Sequence, residues 1–321
     1  MIRIGIIGAG PMAAAHASYF AGQGGRCRVA AVADVDAERA KSLSDKCGAR
    51  AVHDYHAFLP DVDAVVIASP NFLHKEQAVE CARAGKHVYC EKPMGLSLAE
   101  ATEIDAAIRA AGVKSQVGFA VRFDPTIQTM ARLAREGRFG ALVSVASRRL
   151  MWMDPAKVAG WRKDPALSGG LLMEINIHEI EWMMHVGGTV ESVYARVYRR
   201  TPHPRANDHL FVTMTFAGGA TGFHEGSWMA ATPMYWRQVM GTEGGAYTNE
   251  WGNQLYVARA GENRQETTPD GAFDVRGDFL KAIETGGATT ADSTYALRVM
   301  AVAEAILESG QTGQPVRPAL G

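Results

Sequence analysis

Apolar and polar positions follow one rhythm up to about residue 122 and another after it. In the first part, short apolar runs alternate with stretches of helical spacing. Arg3–Ile7, Arg28–Ala33, Ala49–His53, Ala64–Ser69, His87–Cys90 and Lys114–Phe119 read as strands. The most apolar of them are continuous rather than alternating, as strands buried on both faces are. Ala37–Lys46, His74–Ala84 and Ala99–Ala111 read as helices, and an alanine-rich helix runs to about Ala21. Strand and helix in turn predict an α/β unit with a doubly wound parallel sheet. Past Arg122 the helix Pro125–Glu136 is followed by long alternating segments: Leu142–Arg149, Val190–Arg199, His209–Phe216, Thr221–Ser227, Arg237–Gly241 and Gln254–Arg259. With turn signals at Gly218-Gly219 and Gly244-Gly245, they predict a mostly antiparallel sheet. Val275–Glu284 and Ser293–Ser309 return to helical spacing.

The first strand opens into Gly8-Ala9-Gly10-Pro11-Met12-Ala13, a G-x-G-x-x-A loop. The first glycine permits a tight turn, the second lets the backbone approach a pyrophosphate, and the small third residue lets helix and strand pack closely. The helix start then offers free N–H donors and a positive dipole end. The second strand ends at Asp34, where a carboxylate can accept both ribose hydroxyls of an adenosine and repel a 2′-phosphate. NAD is therefore favoured over NADP, with Arg39 close enough to temper that preference. Two domains follow: a dinucleotide-binding Rossmann domain over 1–121, and an α+β domain over 122–321.

Composition narrows the picture without changing it. The chain has 321 residues, 47% hydrophobic and 21% charged, and a net charge of −1. No run of one sign points to nucleic acid or a membrane surface, and no apolar stretch is long enough to span a bilayer. Cys27, Cys47, Cys81 and Cys90 form no CxxC pair and no metal-ligand spacing, and read as reduced thiols of a cytoplasmic protein.

Candidate chemistry lies in two places. His87-Val88-Tyr89-Cys90-Glu91-Lys92 ends at Pro93 and sets a lysine at the carboxyl end of a strand, the edge where open α/β sheets bind ligands. In the second domain Glu174, His178, Glu181 and His185 are spaced four, three and four apart, one stripe of a helix over Leu172–Val186 walled by apolar residues. Taken alone the stripe has three readings: an amphipathic helix, a metal site, or a catalytic face. The metal reading is the weakest, because Trp182 stands where a second zincin histidine would, and no metal is expected.

The chain resembles the Gfo/Idh/MocA family of nicotinamide-dependent oxidoreductases, which includes glucose–fructose oxidoreductase and inositol dehydrogenases. The matching segments are Ser69-Pro70-Asn71 with His74, Gly85-Lys86-His87 into Glu91-Lys92-Pro93, Val117-Gly118-Phe119 with Arg122 and Phe123-Asp124-Pro125, then Trp161-Arg162, and Gly169-Gly170 leading to Glu174 and His178. The match continues through Gly241-Thr242-Glu243-Gly244 to Ser309, Gly310, Gly313 and Val316. The resemblance implies a substrate between the two domains, with Lys92 and His178 facing the reacting carbon. It implies that Ser69, Pro70, Asn71, His74, Glu91, Lys92, Trp161 and Arg162 touch the cofactor beside Gly8, Ala9, Gly10, Pro11, Met12 and Asp34. The part of the second domain in substrate binding and oligomerisation is likewise what the resemblance implies. Substrate is expected on Lys92, Arg122, Glu174 and His178, and a homo-oligomer, dimer or tetramer, is implied. Two departures stand out: many members carry aspartate at the position of Glu174 and glycine at that of Asn176. Asn176 is given no role, since helical geometry turns it away from His178.

The expected function is hydride transfer between nicotinamide and a ring hydroxyl or ketone of a cyclic polyol, sugar or glycoside. A histidine has a suitable pKa for the proton, and a lysine can stabilise the alkoxide or itself be the base. Glu174 would orient His178 or bind a neighbouring hydroxyl. The alternatives are an NAD-dependent glycosidase working by transient oxidation and elimination, and a non-catalytic dinucleotide-binding sensor or co-repressor. His16 is read as packing, His53, His56, His203 and His209 as surface or loop residues, and His224 as a possible cleft residue. The loops Met151–Ala166 and Pro202–Asp208 would shape the pocket.

Overall fold

The computed structural model describes residues 1–201, 208–271 and 274–319; His203 and most of the 202–208 loop lie outside them. The chain forms two compact units, Met1–Gly118 with Asp274–Leu297, and Phe119–Phe273 with Arg298–Gly321. The sequence reading put everything after 122 in the second domain and did not return 274–297 to the first. Tertiary contacts that leave no local pattern bring that segment back. Phe279 packs edge-on against Tyr89, with ring centres 5.8 Å apart. Asp274 Oδ1 accepts the Tyr19 hydroxyl at 2.5 Å, and Ser293 Oγ donates to buried Asp105 at 2.7 Å.

The first unit holds six strands, β1 (Ile2–Ile7), β2 (Cys27–Ala33), β3 (Arg50–Val52), β4 (Ala64–Ile67), β5 (His87–Cys90) and β6 (Ser115–Val117). Their order is β3-β2-β1-β4-β5-β6 and every pairing is parallel. Ile4, Ile6 and all four residues of β4 are fully buried, which accounts for their unbroken apolar runs. Helices α1 (Pro11–Ala21), α2 (Ala37–Cys47), α3 (His74–Arg83) and α4 (Leu98–Ala111) connect them. The strand order reverses between β1 and β4, so the carboxyl ends of these two strands frame the crevice where such sheets bind ligands.

The second unit is built on an eight-stranded sheet. Its elements are α5 (Pro125–Arg135), β7 (Leu142–Trp152), α6 (Pro165–Ser168), α7 (Ile177–Gly187), β8 (Val190–Tyr198), β9 (His209–Phe216), β10 (Thr221–Ser227), β11 (Met229–Gly241), β12 (Gly244–Thr248), β13 (Leu255–Arg259) and β14 (Gln265–Thr267). The order is β14-β13-β12-β11-β7-β10-β9-β8, antiparallel throughout except for β7 beside β10. Helix α8 (Val275–Thr285) belongs to the first unit, and α9 (Ser293–Thr312) begins there and continues in the second.

Gly244-Gly245 is not the turn it was read as. The turn is Thr242-Glu243, and the two glycines pair within β12. Neighbouring main chain comes so close that a Cβ on Gly244 would lie 2.6 Å from the Ala258 oxygen and one on Gly245 2.8 Å from that of Val239. Here glycine answers to close backbone approach, a use that local sequence does not separate from turn formation.

Helix α7 lies on β7 and β10. Alternate residues of those strands face it: Ser147 and Arg149 from β7, and Gly222, His224 and Gly226 from β10. The turn entering α7 is not regular. Leu172–Asn176 form a π-turn, closed by the Ile177 amide on the Leu172 carbonyl.

Candidate functional site

In the first unit the glycine loop does what its spacing requires. Gly8 sits at φ +93°, and a Cβ there would lie 2.7 Å from the Ala68 oxygen. Gly10 is extended, and a Cβ on it would meet nothing within 4 Å, which leaves open space at the start of α1. Ala13 is fully buried where helix meets strand, while Pro11 and Met12 are exposed on the first turn. The Ala9 amide donates to Asp34 Oδ2 at 2.8 Å, and Asp34 Oδ1 accepts the Asp36 amide and Arg39 Nη2, each at 2.8 Å. Burial pushes the Asp34 carboxyl up, but Arg39 and the two amides outweigh it and hold it below the usual carboxylate range.

A cavity of about 530 Å³ adjoins this loop. Gly8, Asp34 and Arg39 line it with Ser69 and Pro70 from the end of β4, and His53 and His56 line it as well. Both histidines are exposed, in keeping with their reading as surface or loop residues, and the cavity gives them a further place. Their place just past β3, on the same sheet edge as Asp34, is the signal that finds them. The open space at Gly10, the close turn at Gly8, the unblocked start of α1 and the adjoining cavity together fit a dinucleotide. Bound there, it would supply the hydride acceptor or donor.

Three expected ligand contacts are redirected by burial. His74 is fully buried, with Nδ1 2.8 Å from the Pro93 oxygen and Nε2 3.0 Å from that of Ser69. It has no surface to offer a cofactor and instead joins the two turns that carry Ser69 and Lys92. Glu91 is also buried, and its carboxylate accepts His16 Nε2 at 2.8 Å. His16 is thus the packing residue expected, held from its other side by Arg276 at 2.7 Å. Arg122, expected on substrate, is 4% exposed and binds Glu181 at 3.2 Å and His185 Nδ1 at 2.6 Å. Burial, then Arg122 and Arg135, lower His185 to about 4, so its neutral ring accepts from the guanidinium. Asn71 is nearly buried, and Lys92 is half-buried two residues past β5.

In the second unit the predicted stripe divides. Glu181 and His185 serve Arg122, while Glu174 pairs with Arg162 Nε at 3.4 Å. The Arg162 guanidinium lies over the Trp161 ring, 4.4 Å from its centre. Trp161, Arg162 and Glu174 therefore form one cluster. Glu174 is 6% exposed, and His178, one turn on, is half-buried.

Behind that turn are two buried networks absent from the sequence reading. Glu179, 1% exposed, takes Arg237 through both carboxylate oxygens at 3.0 and 3.2 Å, Arg149 at 3.3 Å and Trp182 Nε1 at 2.5 Å. Burial pushes this carboxyl up, but Arg237 and Arg149 hold it far below its usual range. In the other network Asn176, fully buried, donates to the Leu171 carbonyl at 3.2 Å and accepts His224 Nε2 at 2.9 Å. His224 Nδ1 in turn faces Ser147 Oγ at 2.7 Å. His224 is completely buried rather than in a cleft, and burial above all lowers it to about 4.

A six-stranded parallel sheet with this glycine loop, joined in one chain to a large mixed sheet, defines a dinucleotide-binding protein. Residues 2–119 match the family profile described as an oxidoreductase family with an NAD-binding Rossmann fold, and 127–247 match the GFO/IDH/MocA C-terminal domain. The uncharacterized oxidoreductase YrbE of Bacillus subtilis is 34% identical over 256 residues, 76% of this chain and 73% of that protein. D-xylose 1-dehydrogenase (NADP(+)) 2 of Haloferax volcanii is 31% identical over 89% of this chain and 91% of its own. Among solved structures, levoglucosan dehydrogenase in complex with NADH superimposes with a TM-score of 0.91 at 25% identity, over 99% of each chain. The chain belongs to the GFO/IDH/MocA family of oxidoreductases, and it is an enzyme of the NAD(P)-dependent dehydrogenase kind.

Proposed function

We propose that this enzyme transfers a hydride between NAD and a ring hydroxyl or ketone of a cyclic polyol, sugar or glycoside. The observation that carries the proposal is Lys92: a half-buried lysine at the carboxyl end of β5, on the sheet edge that also bears the glycine loop and Asp34. An ammonium there stabilises developing alkoxide. His178 takes the proton from the substrate hydroxyl, and Glu174, with Arg162, orients His178 or holds a neighbouring hydroxyl. Trp161 and Arg162 are assigned to cofactor binding. The named substrates of two similar proteins, D-xylose and levoglucosan, are both cyclic sugars and support this class. Asp34 supports NAD as the coenzyme, although the Haloferax relative is named for NADP(+).

The enzyme is assigned to the cytoplasm with its four cysteines as free thiols. Among the described residues no helix is long and apolar enough to cross a membrane. A homo-oligomer is proposed through the sheet face opposite α7, where Tyr194 and Met240 are exposed.

The test is a panel of inositols, pyranoses and anhydrosugars with NAD, followed at 340 nm, together with Lys92→Met. NADH should accumulate with at least one ring polyol, and Lys92→Met should bind NADH and lose turnover. Release of an aglycone without NADH accumulation would favour the glycosidase alternative, and near-wild-type turnover by Lys92→Met would refute the role of the lysine.

A further inference from the structure

The helix that carries Glu174 and His178 is held by a directional relay. Carbonyl oxygens only accept, so the Asn176 contact to Leu171 O must come from Nδ2, 3.2 Å away. That orientation turns Asn176 Oδ1 toward His224 Nε2 at 2.9 Å, which must then carry the ring proton. The other ring nitrogen, Nδ1, accepts from Ser147 Oγ at 2.7 Å. Reversing the amide would set Oδ1 against a carbonyl. The chain Ser147 → His224 → Asn176 → Leu171 therefore runs from donor to acceptor in one direction.

This relay ends on the turn that departs from helical geometry. A regular helix advances 100° per residue, so residues four apart overshoot a full turn by about 40°. A π-turn closes over one residue more and takes back part of that overshoot. Glu174 lies inside the π-turn and His178 one residue beyond its closing amide at Ile177, so the turn sets the angle between their side chains. Such turns are uncommon and occur often at functional sites. The sheet also makes room for the relay: a Cβ on Gly226 would lie 2.5 Å from Asn176 Oδ1.

Resting on the reading that Glu174 and His178 serve the reaction, we propose that Asn176, oriented by His224, is a positioning residue whose amide holds the π-turn and thereby aligns Glu174 with His178. It touches neither substrate nor cofactor. It acts through the main chain, from a position where many members of the family carry glycine.

The experiment compares Asn176→Asp, Asn176→Ala, Gly226→Ala and His178→Ala as full-length enzymes on whichever ring polyol reduces NAD. Asn176→Asp keeps the shape and the acceptor for His224 but loses the donor to Leu171. Gly226→Ala removes no hydrogen-bonding group and only crowds the amide. The expected result is a fall in kcat of about tenfold to a hundredfold in Asn176→Asp and Gly226→Ala, the range that a small misplacement of reacting groups produces. NADH affinity, read by fluorescence titration, should stay within twofold, and the acid limb of the kcat–pH profile should move. In a Glu174→Gln background the further loss from Asn176→Asp should nearly vanish, because the two act through one alignment. A purely structural role would lower thermal stability in each variant but leave the pH profile in place and the losses multiplicative, and that result overturns the proposal. Should Asn176→Ala not fold, the other two lesions carry the test. If His178→Ala keeps its turnover, the assignment of function fails; if it is dead while Asn176→Asp and Gly226→Ala keep wild-type kcat and pH profile, only the present inference fails.

Discussion

The Asp34 carboxylate accepts the Ala9 amide at 2.8 Å, tying the end of β2 to the loop that opens α1. The same side chain is only 9% exposed and takes Arg39 on its other oxygen. One acid therefore fixes the loop, neutralises the nearest guanidinium and presents negative charge toward the cavity. A 2′-phosphate entering there would meet an anion whose counter-cation is already engaged. Asp34→Ala should lower kcat/KM for NAD by about tenfold or more, the worth of a hydrogen bond to a charged group. It should also narrow the preference for NAD over NADP, since Arg39 is released. Initial rates with both coenzymes measure this, and an unchanged ratio would remove Asp34 from coenzyme choice.

The two loop glycines should fail in different ways. At Gly8 a Cβ meets the Ala68 oxygen at 2.7 Å, and the backbone is in the left-handed region. Gly8→Ala should cost stability as well as coenzyme binding. At Gly10 the Cβ has open space and the backbone is extended. Gly10→Ala should leave the urea midpoint nearly unchanged while weakening NADH binding severely, because the added methyl occupies the space a pyrophosphate would approach. Fluorescence titration and denaturation of the two variants separate the effects. Wild-type NADH affinity in Gly10→Ala would place the coenzyme elsewhere.

What could be read in advance was whatever rests on local period and spacing. The glycine loop, Asp34, the parallel character of the first sheet and the bounds of β9 and β10 follow from patterns that neighbours in sequence impose. Burial of polar residues does not follow in that way. His74, Glu91 and Arg122 stand in recognisable segments, yet each is turned inward to a partner distant in the chain, and nothing in the spacing marks that. Asn176 was given no role because helical geometry turns it away from His178, and the spacing does not show what it turns toward. A fully buried asparagine must satisfy both ends of its amide, and the partners that do so, Leu171 and His224, are found only with the sheet in place. Gly244 and Gly245 looked like a turn because glycine has two uses that look alike in one dimension.

Glu179 anchors α7 to the sheet, and its loss should be felt as stability. It is 1% exposed and compensates Arg237, itself 7% exposed, and Arg149. Glu179→Gln keeps the volume but strands buried positive charge, a change that typically costs about 3 to 5 kcal/mol. Urea unfolding should show that loss as a lower midpoint with an unchanged slope. A change below about 0.5 kcal/mol would mean that water reaches the two guanidinium groups.

The buried histidines of the second unit give the fold a pH dependence with a definite sign. His224 and His185 are each lowered to about 4 in the folded protein, chiefly by burial, against about 6.5 in an unfolded chain. Between those values the unfolded chain binds protons that the folded one refuses, so stability rises with pH there and is lost as pH falls from 6.5 toward 4. Each histidine contributes up to roughly 3 kcal/mol to that loss. The ring of His185 must stay neutral to accept from Arg122 at 2.6 Å, and that of His224 to accept from Ser147 at 2.7 Å. Protonating either one therefore breaks a buried contact as well as burying a charge. His185→Gln, whose carboxamide oxygen can still accept from Arg122, should make the protein less stable at pH 7, yet flatten the decline in urea midpoint between pH 6.5 and 4. If the variant and the wild type decline in parallel, His185 takes up its proton in the folded protein as readily as in the unfolded chain, and burial beside Arg122 does not lower it.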